Sequence, residues 1–439
     1  MSDLPTSDPY VPGHGDPSYS VSRYELDLHV QLAGNRLDGE ARLHVTMRAA
    51  TARLVLDLAH LKVSKLRVEG ATLRRWNHRG ERLVIDLAQE TTAGTAIVIV
   101  VRYGGHPRPV VQRHLGEAGW EELSDGVIVA AQPHGSPTWF PCNDRPDDKA
   151  SYRISITADA GYTVVSNGRL VERRRHGSSE SWVFEQAEPM STYLATVQIG
   201  HYRDWPLPEP ALTDVPLRLC GPANLDPADF TAAFGQQRSM LEVFTRLFGP
   251  YPFAGYTVVV TGDDLEIPLE SQTLSTFGRN YVRGDWGATR LIAHELAHQW
   301  FGNSVTLARW QDIWLHEGFA CYSEWLWSEE SGQEPAAHHA EVHWKRLDDL
   351  DQDLFLADPG PELMFDDRVY KRGALALHAL RTEVGDDNFF ALLRHWVADN
   401  AGGCVTTEDF LDTATRHTGA DVKALLGPWL FERPLPELP

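Results

Sequence analysis

The chain has 439 residues, of which 42% are hydrophobic and 23% are charged, a composition typical of globular proteins. Its 61 acidic and 40 basic side chains leave a formal net charge of −21, which argues against nucleic acid or an anionic membrane as a partner and mildly favours cationic substrates. A chain of this length exceeds what one hydrophobic core usually supports, so two domains are expected.

The beginning of the chain shows no export signal. Its opening residues, MSDLPTSDPYVPGHGDPSY, have no basic n-region and no apolar h-region, and no apolar run reaches the roughly eighteen residues of a membrane helix. The cysteines have no Cys-x-x-Cys spacing, which predicts reduced, mostly buried thiols at Cys142, Cys220, Cys321 and Cys404. The sequence therefore predicts a cytoplasmic protein.

The first half of the chain has the pattern of an all-β domain. Residues 1–16 are rich in Pro, Gly and Asp and are predicted to form a mobile N-terminal lead-in. Short alternating runs follow from Tyr19, among them YELDLHVQL, GEARLHVTMRA, AIVIVVRY, ASYRISITA and YTVVSNGRLVE, with turn residues between them. They predict an antiparallel saddle or sandwich over residues 17–203. A proline-rich connector, WPLPEP, follows at residues 205–210.

The second half is predicted to be an α+β domain over residues 204–439, with helices dominating. DPADFTAAFGQQRSMLEVFTRLFG has helical periodicity, with Asp226 or Asp229 available as a cap. A further helix is predicted to start after Asp285, and another to span about residues 311–330. Amphipathic helical stretches follow as DDRVYKRGALALHALRTEVG, DNFFALLRHWVADN and TEDFLDTATRH.

One stretch, LIAHELAHQWFGN, has the pattern of a metal site. Residues four apart lie on one face of a helix, so His294 and His298 can bind one metal ion, and Glu295 lies near enough to serve a bound water without being a ligand. Catalytic zinc takes three protein ligands and keeps one position open. Glu317, nineteen residues after His298 in WLHEGF, is the best candidate for the third ligand. The pattern predicts a zinc hydrolase.

HELAHQWFGN, together with the Glu of WLHEGFA eighteen intervening residues after His298, resembles the gluzincin aminopeptidases of the aminopeptidase N and leukotriene hydrolase family. The resemblance implies a thermolysin-like catalytic domain and one Zn2+ per chain. It also implies peptide substrates with a free N-terminus, with Glu295 as general base. Because the chain ends near the close of the family's catalytic domain, we expect a short form without the C-terminal helical domain. Its cleft is then either more open or closed by oligomerisation.

Further substrate contacts follow from the resemblance. Glu270, in IPLESQT, matches the Glu of the family's Gly-x-Met-Glu-Asn segment, which binds the substrate amine, although the Gly, Met and Asn are replaced here. Gln132 matches the first position of the family's Gln-x-Glu or Gln-x-Gln segment, and His134 stands at its last position. Tyr370, in VYKRGA, matches the Tyr of Tyr-x-Lys-Gly, which implies a hydrogen-bond donor to the oxyanion. The alternatives are a solvated edge charge at Glu270 and a packed ring at Tyr370.

A metal-bound imidazole needs its second ring nitrogen anchored by a hydrogen bond. Glu324, seven residues after Glu317, and Asp312, at the start of the same predicted helix, are the candidates for this contact. Ordinary charge on a helix surface is the alternative. Two rival functions also stay open, an epoxide hydrolase of the leukotriene hydrolase type and a non-enzymatic scaffold of the same fold.

Overall fold

The computed structural model describes residues 7–207 and 214–439. The predicted connector at 205–210 lies partly outside these ranges, as do residues 1–6 of the predicted lead-in. Within them, none of the helices combines the length and the apolar character that crossing a membrane requires.

The first half of the described chain is built from β-strands. In chain order these are β1 (Tyr19–Gln31), β2 (Arg36–Met47), β3 (Thr51–Asp57), β4 (Lys62–Glu69), β5 (Leu73–Arg79), β6 (Arg82–Thr91), β7 (Ala96–Gly105), β8 (Val110–Gln112), β9 (Gly116–Leu123), β10 (Gly126–Ala130), β11 (Ala150–Asp159), β12 (Thr163–Ser166), β13 (Arg169–His176), β14 (Ser179–Met190), β15 (Val197–Gly200) and β16 (Tyr202–Trp205).

Three sheets make up this β domain. The largest has seven strands in the order β13-β14-β11-β1-β2-β7-β4, a second has the order β12-β15-β10-β9-β8, and a third has the order β3-β6-β5. Within the large sheet only β1 and β11 run parallel. Alternate residues of β1 such as Leu26 and Leu28 are buried, as the alternating sequence predicts, and they pack into the core. The predicted all-β domain is confirmed.

The predicted run YTVVSNGRLVE is divided in the structure. β12 joins the five-stranded sheet, whereas β13 lies at the edge of the seven-stranded sheet. Asn167 lies between the two strands, and its side-chain amide donates to the carbonyls of Leu194 and Gln272. Alternation of residue type alone carries no information about such a change of sheet, because both strands have the same period.

The second half combines a small sheet with helices. Its elements are β17 (Leu217–Pro222), α1 (Pro227–Phe234), α2 (Gln237–Phe248), β18 (Tyr256–Val260), β19 (Leu274–Phe277), α3 (Trp286–Ala297), β20 (Thr306–Leu307), α4 (Trp314–Glu330), α5 (Ala336–Asp348), α6 (Asp367–Val384), α7 (Asp386–Asn400), β21 (Cys404–Val405), α8 (Thr407–Thr418) and α9 (Val422–Phe431). β16-β17-β18-β19 form one sheet, so the predicted boundary at 203/204 falls inside a strand that pairs with the second half.

Helix starts follow the predicted capping residues. The Asp226 carboxylate accepts hydrogen bonds from the backbone N–H groups of Ala228 and Asp229, and α1 begins at the next residue, Pro227. Asp285 caps α3 in the same way by accepting from Ala288 N–H at 3.1 Å. The α+β character predicted for the second half is confirmed.

The N-terminal segment differs from the predicted mobile lead-in. Within residues 7–16, Tyr10 and Val11 are buried in the core. His14 is also buried, and its Nδ1 lies 2.8 Å from a carboxylate oxygen of Asp144. The Pro, Gly and Asp content suggested a mobile chain, but burial of apolar side chains and a buried polar contact hold these residues against the domain.

Candidate metal centre and substrate cleft

Helix α3 and its C-terminal cap position two imidazoles. His294 lies in the last turn of α3, and His298 is the capping residue, with φ −56° and ψ −24°. Because His298 keeps helical dihedral angles, the helical period continues to it and both rings lie on the same face. Their centroids are 4.8 Å apart, and both side chains are buried.

Glu317 of α4 completes a three-residue cluster. One of its carboxylate oxygens, Oε2, lies 3.3 Å from His294 Nε2 and 3.4 Å from His298 Nε2. The three ligand atoms all lie within 4.8 Å of one another. Zn–N and Zn–O bonds of about 2.0–2.1 Å in tetrahedral geometry require about 3.4 Å between ligand atoms. The donor set and both measured separations therefore fit zinc.

The second nitrogen of each imidazole has a hydrogen-bond acceptor. His294 Nδ1 lies 2.8 Å from Glu324 Oε1, and His298 Nδ1 lies 3.0 Å from the carbonyl oxygen of Phe301. With the proton on Nδ1, each Nε2 presents its lone pair to the position between the three ligands. Glu324 therefore lies where one of the two predicted anchoring carboxylates was expected.

Asp312 has a different environment from the one predicted. Its Oδ1 accepts hydrogen bonds from the backbone N–H and hydroxyl of Thr407, and its Oδ2 accepts from Arg309 at 3.0 Å. Both oxygens are thus engaged, Oδ1 at the start of α8 and Oδ2 by Arg309. The prediction that Asp312 anchors an imidazole is wrong, because the residues before α4 turn this carboxylate toward α8 and not toward α3.

The protein's own charges shift the pKa values of the cluster. Burial raises the pKa of Glu317, but the imidazoles of His298 and His294 outweigh it and hold that pKa well below its usual range. Burial lowers the pKa of His298, yet the Glu317 carboxylate outweighs this effect and raises it to about 10. Burial also raises the pKa of Glu295 to about 8, partly offset by both imidazoles. Glu317 is therefore an ionised ligand, and Glu295 is a carboxylate with raised proton affinity.

Two glycines bring Tyr370 to the cluster. Where α4 crosses α6, a Cβ added to Gly318 would lie 2.9 Å from the Cα of Gly373, so only glycine permits this approach. Tyr370, three residues before Gly373, stacks near His294, with their ring centroids 6.0 Å apart. Burial raises the pKa of Tyr370 well above its usual value, and the nearby carboxylates of Glu317, Glu270 and Glu295 raise it further. The Tyr370 hydroxyl therefore stays protonated and can donate a hydrogen bond.

Glu270 approaches the cluster from the side of His298. The predicted edge strand is reduced to one isolated bridge, between Leu269 and Thr276, and Glu270 follows it. The side-chain amide of Asn303, five residues after His298, donates to the Glu270 carbonyl at 2.6 Å. The Glu270 carboxyl is buried, and burial raises its pKa, with the His298 imidazole opposing the shift.

Gln132 and His134 separate in the structure. Gln132 and Glu270 line one small cavity, which Tyr193 also borders. His134 is fully buried elsewhere, with its ring centroid 6.2 Å from that of His14, and burial lowers its pKa to about 4. The structure therefore does not bring His134 to the cavity that Gln132 and Glu270 line. Residues 132–135 form a turn, so side chains two apart do not share a face as they would in a strand.

Other residues near the cluster were not singled out from the sequence. Gln299 accepts from the backbone N–H of Thr273 at 2.8 Å and, with Asn303, holds the Glu270 segment. Arg290, one helical turn before His294, donates to Glu324 Oε2 at 3.1 Å. Arg290 could have been identified from the sequence, because it lies four residues before His294 and so shares its face of the helix. Gln299 and Asn303 were visible only as part of HQWFGN.

Comparison with known proteins covers most of the chain. The protein-family model of the peptidase M1 N-terminal domain matches residues 20–194. The family model of the peptidase family M1 domain matches residues 232–429. Aminopeptidase M1-D of Oryza sativa subsp. japonica is 26% identical over 94% of this chain and 50% of its own length. Leucyl aminopeptidase of Saccharolobus solfataricus is 23% identical over 93% of this chain and 53% of its own length. The chain spans about half the length of the curated relatives it matches.

Solved structures match over nearly their whole length. A mutant M1 zinc metallopeptidase from Deinococcus radiodurans, in a crystal structure bound to a Tyr-Ser-Ala substrate, is 32% identical, with a TM-score of 0.89. The match covers 98% of this chain and 98% of that chain. A two-domain M1 zinc metallopeptidase mutant bound to L-arginine matches with the same identity, coverage and TM-score.

Proposed function

Because the chain belongs to the peptidase M1 family, we propose that it is a zinc-dependent aminopeptidase that hydrolyses the N-terminal residue from peptides. The observation that carries the proposal is the cluster of His294, His298 and Glu317. Its measured separations of 3.3 Å and 3.4 Å fit tetrahedral zinc, and Glu295 is a buried carboxyl beside it. When bound, zinc acidifies a water molecule and polarises the scissile carbonyl.

Glu295 is the proposed proton carrier. As a general base it accepts a proton from the attacking water, and as a general acid it then gives that proton to the leaving amine. A pKa near the operating pH makes both transfers efficient, and the buried position of Glu295 favours such a value. Glu295 is not one of the three clustered ligands, so its carboxylate is free for this exchange.

The remaining proposed contacts orient the substrate. The Tyr370 hydroxyl donates a hydrogen bond to the oxyanion that develops as the carbonyl is attacked, and the stacking of its ring near His294 supports this role. Glu270 accepts hydrogen bonds from the substrate's free ammonium, and Gln132 lines the same cavity. A free N-terminus is thereby recognised on the His298 side of the cluster.

The proposal extends to the setting of the enzyme. The four cysteines are free thiols, which supports a reducing, cytoplasmic location. The net charge of −21 supports peptide substrates over nucleic acid. The predicted division into a β domain over residues 17–203 and a catalytic domain over residues 204–439 stays a prediction. The pairing of β16 with β17 supports assigning the whole of β16, from Tyr202, to the second domain.

A panel of fluorogenic aminoacyl substrates, assayed with and without a zinc chelator, tests the proposal. We expect hydrolysis that the chelator abolishes and added zinc restores. N-acetylated versions of the same substrates should resist cleavage. Hydrolysis that survives complete removal of metal would exclude the zinc mechanism, and a lack of hydrolysis by the zinc-loaded protein across the panel would favour a scaffold.

A further inference from the structure

A cavity of about 180 Å³ lies between helices α3, α4, α5 and α6, next to the metal centre. No step proposed above uses it. We call it the Lys371 cavity, and the lining residues that matter here are Trp286, Arg290, Glu324, His343, Arg346 and Lys371.

The Lys371 cavity has an excess of positive charge. Arg290, Arg346 and Lys371 contribute three cations, against two carboxylates from Glu324 and Asp367. Arg290 is paired with Glu324 at 3.1 Å, and Arg346 with Asp367 at 3.2 Å. The chain as a whole carries a net charge of −21, so this local excess runs against its composition.

Lys371 has unused hydrogen-bonding capacity. Its side chain is buried, and its ammonium donates to Cys321 Sγ at 3.2 Å. Within residues 7–207 and 214–439, no carboxylate lies within 4 Å of it. An ammonium has three N–H donors, and a thiol is a weak acceptor. His343 Nδ1, on the same cavity, is also buried, and no described residue forms a hydrogen bond with it. Buried polar groups without partners are costly, so these donors indicate a place for an acceptor.

The Lys371 cavity continues the face of α3 that carries the metal ligands. Trp286, Arg290, His294 and His298 are each four residues apart, so they form one stripe along this helix. At about 1.5 Å per residue, Arg290 lies about 6 Å before His294 along the axis. Glu324 connects the two regions, since one of its oxygens contacts His294 and the other contacts Arg290.

The amine anchor lies toward the opposite end of this stripe. Glu270 is held by Asn303, which follows His298, whereas the Lys371 cavity begins at Arg290, which precedes His294. A peptide with its ammonium at Glu270 and its scissile carbonyl at the metal therefore extends toward Arg290. One residue beyond the scissile bond extends the peptide by about 3.5 Å, and a charge-assisted hydrogen bond spans about 2.8 Å. Their sum is close to the distance of about 6 Å between Arg290 and His294 along the axis of α3.

We propose that the Lys371 cavity binds a carboxylate carried by the residue that follows the scissile bond, with Lys371, Arg346 and His343 as its donors. The inference rests on the proposed aminopeptidase function. The carboxylate comes from either of two sources, the free C-terminus of a dipeptide or the side chain of Asp or Glu in the second position. In both cases the same donors recognise it.

Two matched pairs of substrates test the inference and distinguish the sources. Leu-Ala against Leu-Ala-amide reports on the C-terminal carboxylate, and Leu-Asp-amide against Leu-Asn-amide reports on the side chain. In at least one pair we expect kcat/KM to favour the carboxylate about ten-fold, the size of one charge-assisted hydrogen bond. Lys371→Met and Arg346→Gln should remove the preference. Lys345→Gln, next to Arg346 but highly exposed and outside the cavity, is the matched control and should keep it.

Binding supplies a second readout that does not depend on turnover. Calorimetry with zinc-loaded Glu295→Ala protein should show tighter binding of the carboxylate member of the same pair, and Arg346→Gln in that background should remove the difference. Equal affinity within both pairs, or a preference that survives both cavity variants, would overturn the inference. Absence of cleavage with a retained binding difference would instead count against the proposed hydrolysis alone.

Discussion

Glu324 Oε1 lies 2.8 Å from His294 Nδ1, and both side chains are buried. The carboxylate reaches the imidazole from α4, thirty residues later in the chain, and its other oxygen accepts from Arg290 at 3.1 Å. Burial raises the pKa of Glu324, but Lys371, His294 and Arg290 outweigh it and hold that pKa well below its usual range. Glu324 is therefore an ionised acceptor that orients a metal ligand.

Glu324→Gln should weaken zinc binding about ten- to a hundred-fold, because a neutral amide orients and polarises His294 less well than a carboxylate. Competition with a chromophoric chelator measures the change. Asp312→Asn is the control, since Asp312 contacts Thr407 and Arg309, and it should leave zinc affinity unchanged while lowering the free energy of unfolding by about 1 kcal/mol. Weaker zinc binding in the Asp312 variant alone would reverse this assignment.

Glu295→Ala should retain about one zinc ion per chain and lose turnover, because the proposed base is not a ligand. The His294→Ala, His298→Ala and Glu317→Ala variants should instead lose the metal. Elemental analysis and a kinetic assay on the same preparations separate these outcomes. If Glu295→Ala empties the site, the division of roles between ligand and base is wrong.

Tyr370→Phe should lower kcat about a hundred- to a thousand-fold with little change in KM, since the oxyanion forms only in the transition state. The ring keeps its position near His294, so zinc content is expected to stay unchanged. Steady-state kinetics with one good substrate measures both constants. An unchanged kcat would remove Tyr370 from the proposed mechanism.

Glu270→Ala should lower kcat/KM about ten- to a hundred-fold for peptides with a free N-terminus, the cost of losing a hydrogen bond to a charged group. N-acetylated peptides, already poor substrates, should change little. Because His134 lies away from the Gln132 cavity, we expect Glu270 to carry most of this discrimination. Equal losses on free and acetylated versions of one peptide would show that Glu270 supports the fold or the metal site instead.

Asp148 should make the folded protein less stable as pH rises. Burial raises its pKa to about 6, only partly offset by Asn143, Arg48 and the backbone N–H of Val21. Because this pKa lies above the unfolded value, the folded state binds the extra proton. The resulting stability is present below about pH 4 and is lost as pH rises through about 6, by up to about 3 kcal/mol.

Urea unfolding of the wild type and of Asp148→Asn at pH 4.5 and pH 7, both with chelator, measures this contribution. The free energy of unfolding of the wild type relative to the variant should be higher at pH 4.5 than at pH 7. Because wild type and variant are compared at the same pH, the contribution of the metal ligands' titration to the free energy of unfolding cancels. A difference that stays constant would show that Asp148 titrates normally in the folded protein.

Short-range periodicity made the centre of the site predictable. His294, Glu295 and His298 lie within two helical turns, so the period of α3 alone determines which side chains share a face. The strands of the β domain were recognisable for the same reason, since alternation is a property of neighbouring residues. Glu317 was proposed as the third ligand from its place in a second predicted helix. Tyr370 and Glu270 were assigned by their resemblance to family motifs, because no local rule connects them to α3.

Tertiary packing decided the contacts between distant segments. The sequence offered Glu324 and Asp312 as equivalent anchors for an imidazole, and the crossing of α4 over α3 and α8 selected the first. The sequence predicted that Gln132 and His134 both contact the substrate, but in the turn at 132–135 Gln132 lies on the Glu270 cavity and His134 lies near His14. Neither set of contacts follows from spacing along the chain. Both depend on how helices and strands pack together, and the free energy that stabilises this packing comes from burying side chains of several elements at once.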